Sequence, residues 1–450
     1  MTGANHLLEY NSGSKSGQTK KLLVDCGMFQ GSKVCEEQNH EPFRFDPKDI
    51  DFLFVTHGHL DHVGRIPKLV RDGFGGKIFS TEPTRDFAEL MLDDSLGILS
   101  KEAERENKEL IYKKEDIART MSLWEAVEYD KEFYLGDIGV VFRDAGHILG
   151  SAMVEINLSA GARTKKIVFT GDLGNPPVPL LRPPYKITDA NFLVIESTYG
   201  DREHEDINER KLKIERAIED AVAKKGVLMI PAFSIERTQE LLFEINDLVE
   251  SGRIPKIPIF LDSPLAIRAT KVYRKYEKYY NKKAKFIINS GDDVFKFPGL
   301  QFTLTTEESK KINDVLPPKV IMAGSGMSVG GRIIHHEKRY LSDPNSILLL
   351  VGFQAAGSLG RRLADGEKSV KILGEEISVR ARIESVVGYS AHPDINGLYN
   401  FVENSVDSLE KVFVVQGEAK SALFFTQRVR DYLGVDAVAP KLGDSFKIAI

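Results

Sequence analysis

The chain has 450 residues, 42% of them hydrophobic and 28% charged, with a formal net charge of −5. That length suits two or three compact units with sizeable cores. The charge excludes a protein that adheres to nucleic acid or acidic membranes by overall basicity, so a polyanionic partner must be drawn by local cations or bound metal.

In chain order, KKLLVDCG (ending at Gly27), IDFLFVTH (50–57), KIFST (77–81), GVVFRDAG (139–146), SAMVEINL (151–158), KKIVFTGD (165–172) and FLVIEST (192–198) read as strands. Several are apolar on both faces, as in sheets covered by helices. A charged helical stretch from about Asp86 to Tyr129 interrupts them. Asp206–Lys225 reads as an amphipathic helix with Leu212, Ala217, Ile218, Ala221 and Val222 on one face. The strands GVLMIPAF, IPIFLDS and KVIMAGS then alternate with helices starting near Ser234, Pro264 and Val329, a parallel βαβ pattern. From about Arg362 the strand-rich style returns with ISVRARIES and KVFVVQGE, a helix at Ala419–Leu433 and a last strand DSFKIAI. The pattern is an α/β domain split by an inserted one. Cys26 and Cys35 sit in no metal spacing and read as reduced thiols. The N-terminus has no secretion signal, and the longest apolar run, SILLLVGF, is too short to cross a bilayer, so a cytoplasmic protein without a membrane partner is expected.

The stretch FVTHGHLDHVG, Phe54 to Gly64, holds three of the ten histidines. Crowded imidazoliums repel, and a metal ion is the usual way to hold such rings neutral and together. Residues two apart in an extended loop point the same way, which aims His57 and His59 at one point. Asp61 and His62 begin the next turn and face a neighbouring point, so two metals are suggested. Further candidate ligands lie at strand ends in glycine- or serine-rich loops: His147 in AGHILGSA, Asp172 in FTGDLG and His392 in YSAHPD.

HGHLDHVG, AGHILGSA and FTGDLG together resemble the metallo-β-lactamase superfamily. ESTYGDR, PAFSIERTQELL, FLDSPLA, AGSGMSVGGRIIHH, GFQAAGSLGRR and SAHPD narrow the resemblance to the β-CASP nucleases, along nearly the whole chain. It implies an αββα metallo-β-lactamase sandwich (residues 1–200 and 362–450) carrying an inserted parallel α/β β-CASP domain (201–361). It also implies two zinc ions, one on His57, His59 and His147, the other on Asp61, His62 and His392, with Asp172 bridging both. Such a pair would supply a hydroxide nucleophile and offset transition-state charge. Asp25 is assigned to orienting the metal loop, and Glu196 to orienting or polarising a neighbouring donor.

Three departures from the family pattern stand out. Arg362 holds the place of a histidine that is the usual candidate acid; arginine stays protonated and can hold phosphate oxygens but donates protons poorly. Gln416 replaces another histidine, so that loop lacks a titrating ring. The chain also starts where relatives have an additional first strand. His392 in SAHPD goes with RNA-acting members, and Gly388, where exonuclease relatives carry histidine, favours cutting within the strand. Ser325, Ser328 and Ser390 in glycine-flanked turns are candidate phosphate donors together with Arg362. His335 and His336 read as surface or packing residues of a helix. YRKYEKYYNKKAKF (273–286) reads either as a stacking surface for a strand or as an amphipathic helix. The expected activity is a zinc-dependent endoribonuclease on single-stranded RNA. The alternatives are a catalytically weak RNA-binding scaffold and a small-molecule hydrolase on the same scaffold. Self-association is left open.

Overall fold

The computed structural model describes residues 3–11, 19–30, 33–160, 163–204, 208–352, 354–355 and 357–450. Asp206 and Ile207 of the expected amphipathic helix, and Phe353 and Ala356 of GFQAAGSLGRR, lie outside the described residues. The chain divides into two compact units, the first comprising Met1–Pro176, Arg182–Glu203 and His392–Ile450, the second Pro177–Leu181 and His204–Ala391.

Strands of the first unit are β1 (His6–Asn11), β2 (Thr19–Val24), β3 (Phe52–Phe54), β4 (Lys77–Thr81), β5 (Trp124–Val127), β6 (Phe133–Leu135), β7 (Ile138–Asp144), β8 (Ala152–Ala160), β9 (Arg163–Phe169) and β10 (Phe192–Glu196). The second unit contributes β11 (Val227–Pro231), β12 (Ile259–Leu261), β13 (Leu300–Phe302), β14 (Lys319–Ala323), β15 (Ile347–Val351), β16 (Ser369–Ile372), β17 (Glu375–Ser378) and β18 (Arg382–Val386). β19 (Lys411–Val415) and β20 (Ala437–Val438) return to the first unit.

Among the described residues the first unit holds two sheets, ordered β1-β2-β3-β4-β5 and β20-β19-β10-β9-β8-β7-β6. Alternation along the strands decides the layers. Leu22, Val24 and Phe54 face inward and share one core with Val140, Phe142, Val154, Ile167 and Phe169 of the other sheet. Leu23, Leu53 and Val55 point the opposite way, into Ile66 and Leu69 of helix Ile66–Arg71 and Ala88 of helix Glu82–Glu106. On the second sheet Val168, Leu193, Val412 and Val414 lie under Leu398 and Phe425, from helices Ile395–Glu403 and Ala419–Leu433. The layering is helix, sheet, sheet, helix, and it explains why these strands are apolar on both faces.

Direction places the functional edge. β9, β10 and β19 are mutually parallel, and β8 turns the chain back once between β7 and β9, so β7 runs the same way. The C-terminal ends of all four therefore lie along one edge of the sheet. His147, Asp172, Glu196 and Gln416 stand at or just beyond those ends.

The second unit is built on a parallel sheet ordered β13-β12-β14-β11-β15-β18. Its last member, β18, pairs residue for residue with β15 from Ile347↔Arg382 to Val351↔Val386. The return to the first unit thus comes at His392 rather than at Arg362, because this strand completes the inserted sheet. In helix Asn208–Lys224 the buried face is Ile214, Ala217, Ile218 and Ala221, at i, i+3, i+4 and i+7. Leu212 falls outside that stripe and is exposed.

Three local expectations differ from the structure. The charged stretch before Tyr129 ends in strand β5, not helix, since Trp124 pairs with Ile78 and buries its ring. The ladder expected over 50–57 is confined to β3, and two residues beyond it the Thr56 N–H donates to Asp25 Oδ1 at 2.8 Å. DSFKIAI forms no strand; Ile448 and Ile450 simply pack against the inter-sheet core.

Candidate metal centre

Chain segments of the first unit converge at the strand-end edge. The loop after β3 carries His57 and His59, with His59 capping the short helix Leu60–Val63 that holds Asp61 and His62. Backbone bonds seat this loop: Ala4 N–H donates to Asp61 O at 2.7 Å, Cys26 N–H to His62 O at 2.8 Å and Met28 N–H to Leu60 O at 2.8 Å. So close an approach requires glycine at position 27, where a Cβ would stand 1.6 Å from Asp61 O. Gly171, with φ of +54°, lets the Asp172 loop close on Thr56, whose Cβ would be 2.6 Å from an added one.

His57 Nε2 lies 3.0 Å from His59 Nδ1 and 3.5 Å from Asp172 Oδ2, while His147 Nε2 is 3.4 Å from His59 Nδ1 and 3.7 Å from the same Asp172 oxygen. On the other side of Asp172, Oδ1 is 3.3 Å from His62 Nε2, which is 3.8 Å from Asp61 Oδ2. Each set, His57/His59/His147/Asp172 and Asp61/His62/Asp172, brings one donor atom per residue within 4.8 Å of the others. These nitrogens and oxygens crowd against one another in two sets that share Asp172. Asp61 Oδ2 is buried with no such partner, and so is His147 Nδ1. Imidazole with carboxylate is a donor set that suits a divalent transition metal.

Burial drives His57 and His147 well below the ordinary imidazole value, and lowers His59. They are held in the neutral form that ligates. His62 is pushed down by burial too, but Asp172, Asp25 and Asp61 outweigh it and hold the ring well above its ordinary value. Asp172 is likewise buried, yet the rings of His62 and His57 keep its carboxyl well below the usual range. Asp172 and His62 thus face each other as opposite charges in a buried site.

Asp25 accepts from Thr56 N–H and Thr56 Oγ1–H at 2.8 Å each and from His62 Nδ1–H at 2.7 Å. With Nδ1 engaged, Nε2 of His62 is the atom left to face an ion. Thr56 was not visible as a site residue in the sequence, although it sits between the motif aspartate and the histidines. Ser151, which accepts from the His147 backbone N–H at 3.0 Å, escaped notice for the same reason: a lone hydroxyl carries no spacing signal.

The structure brings His392 to Glu196 and Asp172, and Asp172 is the residue this group shares with the Asp61–His62 set. Its Nδ1 stands 2.9 and 3.0 Å from the two Glu196 oxygens. Glu196 is fully buried and also accepts from Leu173 N–H at 2.8 Å and Thr198 N–H at 3.3 Å. Burial would lower the His392 ring, but Glu196 outweighs it and the value is pushed up to about 9. The loop is anchored by Asp394, which caps helix Ile395–Glu403. At the end of β19, Gln416 sits with its side-chain nitrogen 3.2 Å from His62 Nε2.

The remaining candidates lie in the second unit. Arg362 is half exposed and pairs with Glu367 at 2.7 Å. Ser325 Oγ accepts from Val329 N–H at 3.0 Å, and Ser390 is buried. Ser328 is turned inward, its hydroxyl donating to buried Glu337, which engages it inside the unit rather than offering it to a phosphate. His336 is buried on Asp262 at 2.8 Å, the packing role expected. Tyr273, Tyr276 and Tyr280 are also buried, which decides the tyrosine-rich tract against a stacking surface on those rings.

Comparison with known proteins agrees with this architecture. The metallo-β-lactamase superfamily model matches residues 15–202, the β-CASP domain model residues 238–363, and the model of the Zn-dependent metallo-hydrolase RNA specificity domain residues 376–440. The chain is 36% identical to Ribonuclease TTHA0252 of Thermus thermophilus over 94% of its length and 92% of that protein. It is 32% identical to an RNase J-like protein of Methanocaldococcus jannaschii over 95% of its length and 94% of that protein. It is 30% identical to transcription termination factor FttA of the same organism, of which it spans 68%. A solved structure of a protein of unknown function from Enterococcus faecalis shares the fold, with a TM-score of 0.55 at 11% identity over 98% of this chain and 96% of that one. Among the described residues no helix is long and apolar enough to cross a membrane. The chain belongs to the metallo-β-lactamase superfamily, in the branch that carries the β-CASP insertion.

Proposed function

We propose that this chain hydrolyses phosphodiester bonds of single-stranded RNA, cutting within the strand, with two zinc ions held by His57, His59, His147, Asp61, His62 and the shared Asp172. The observation that carries the reading is the convergence of two donor sets on one aspartate beside an imidazole–carboxylate pair. Divalent ions held by these residues would supply a nucleophile at neutral pH and positive charge against the phosphate oxygens. The protein's own residues do the rest. Asp25 fixes the His62 tautomer. Glu196, held by two backbone N–H groups, accepts Nδ1–H of His392 and so leaves Nε2 as the atom that carries a proton toward the scissile bond. His392 thus fills the acid role that Arg362 cannot, and Arg362 remains a permanent cation for phosphate. RNA as substrate is supported by the match to an RNA specificity domain, which spans His392, and by relatives named as ribonucleases.

The test uses the purified protein, zinc-loaded or treated with chelator, on 5′-labelled single-stranded RNA, the matching DNA and nitrocefin. Internal RNA fragments that vanish with chelator and with Asp172→Ala are expected. Equal cleavage of DNA would make it a general phosphodiesterase. Turnover of nitrocefin alone would move it to a small-molecule hydrolase, and RNA binding without cleavage to a scaffold.

A further inference from the structure

The two donor sets are not equal. His57, His59, His147 and Asp172 supply four donors, three of them imidazoles, the number a structural zinc takes. Asp61, His62 and Asp172 supply only three. His62 has its Nδ1 committed to Asp25, so Nε2 must face the ion, and the group that stands 3.2 Å from that nitrogen is the side-chain amide of Gln416. Asp61 Oδ2, buried and without a hydrogen-bond partner, is aimed into the same space. A primary amide is a neutral, weak ligand through its oxygen and none at all through its nitrogen. An ion here must also displace the contact between Gln416 and His62. Gln416 itself holds a left-handed backbone, with φ of +52°.

We infer that the metal positions differ in retention: the four-donor position keeps its ion, the Asp61/His62/Asp172 position exchanges its ion with solvent, and Gln416 is the residue that makes it exchangeable. This rests on the metal-hydrolase reading above and deepens it. The donor set at the exchangeable position is richer in oxygen, which admits a harder cation such as Mn²⁺ beside a zinc at the other.

The experiment reads metal content, not turnover. Wild type, Gln416→His and Gln416→Glu are saturated with zinc, passed through buffer containing a mild chelator, and assayed for zinc per chain, with binding isotherms recorded by calorimetry. One zinc retained by wild type and two by each variant is expected, with the weaker wild-type step tightened at least about tenfold, the low end of what even a partner outside the ligand shell changes. Histidine is tolerated at positive φ, and the glutamate variant guards against a histidine that fails to fold. Two zinc ions retained by wild type, or one still retained by both variants, overturns the inference and leaves the hydrolase reading standing. No zinc retained by wild type overturns both.

Discussion

Replacing Asp25 with asparagine tests how the metal loop is wired. Asn tolerates the left-handed backbone that Asp25 adopts at φ of 59°, so the change does not act through strain. Asp25 accepts three bonds, one on Oδ1 from Thr56 N–H and two on Oδ2 from Thr56 Oγ1 and His62 Nδ1. If the asparagine amide nitrogen faced Thr56 N–H, two donors would meet, at a cost of about 1–3 kcal/mol. If it instead took the Oδ2 place, Thr56 could rotate its hydroxyl and His62 could accept on Nδ1. All groups would then be satisfied, so this arrangement wins. His62 would, however, carry its proton on Nε2, the atom required by an ion. The expected stability loss is modest, about 1–2 kcal/mol for exchanging charge-assisted bonds for neutral ones. The expected loss of affinity at the Asp61/His62/Asp172 position is about 10–100-fold, and the other position is spared. Competition against a chromophoric chelator, beside a thermal melt, separates the two effects. An unchanged second-site affinity in a folded Asp25→Asn would refute the tautomer argument.

Glu196→Gln removes the charge that holds the His392 ring; turnover on RNA should fall about a hundredfold or more while zinc content stays at the wild-type level. Loss of metal and activity together would instead make Glu196 a ligand. Arg362→Ala should raise KM a few-fold with kcat nearly unchanged, since a guanidinium binds phosphate without giving up a proton; a fall in kcat alone would place it in the chemistry. Glu337 is fully buried with Oε2 lacking a hydrogen-bond partner, and burial pushes its carboxyl up to about 8. Because the folded value lies above the unfolded one, its contribution to stability is whole below about pH 4.5 and is lost as pH rises through about 8, on the order of 1.4 kcal/mol per pH unit between them. Urea denaturation should therefore show Glu337→Gln gaining on wild type as pH rises; parallel curves would mean the group is ionised in the folded chain.

How much was legible follows the kind of signal each residue carries. His57, His59, Asp61 and His62 stand in one short run, and two-residue spacing on an extended loop already aims side chains together, so their clustering could be read from order alone. His147 and Asp172 could be read because each follows an apolar run and sits beside a glycine, the local mark of a strand end. The double-sided apolar strands announced sheets covered by helices before any layer was seen.

Partnership between distant segments was decided only by the fold. His392 lies 196 residues from Glu196, yet its Nδ1 stands 2.9 Å from that carboxylate, a pairing that no local spacing announces. Ser328 looked like a free turn hydroxyl until Glu337, nine residues on, buried it. Arg382 to Val386 read as the returning domain, but their ladder partners lie in β15. Side-chain type and short-range spacing are properties of the chain itself. The neighbour a side chain meets across 100 residues or more depends on strand direction and register, which packing alone selects.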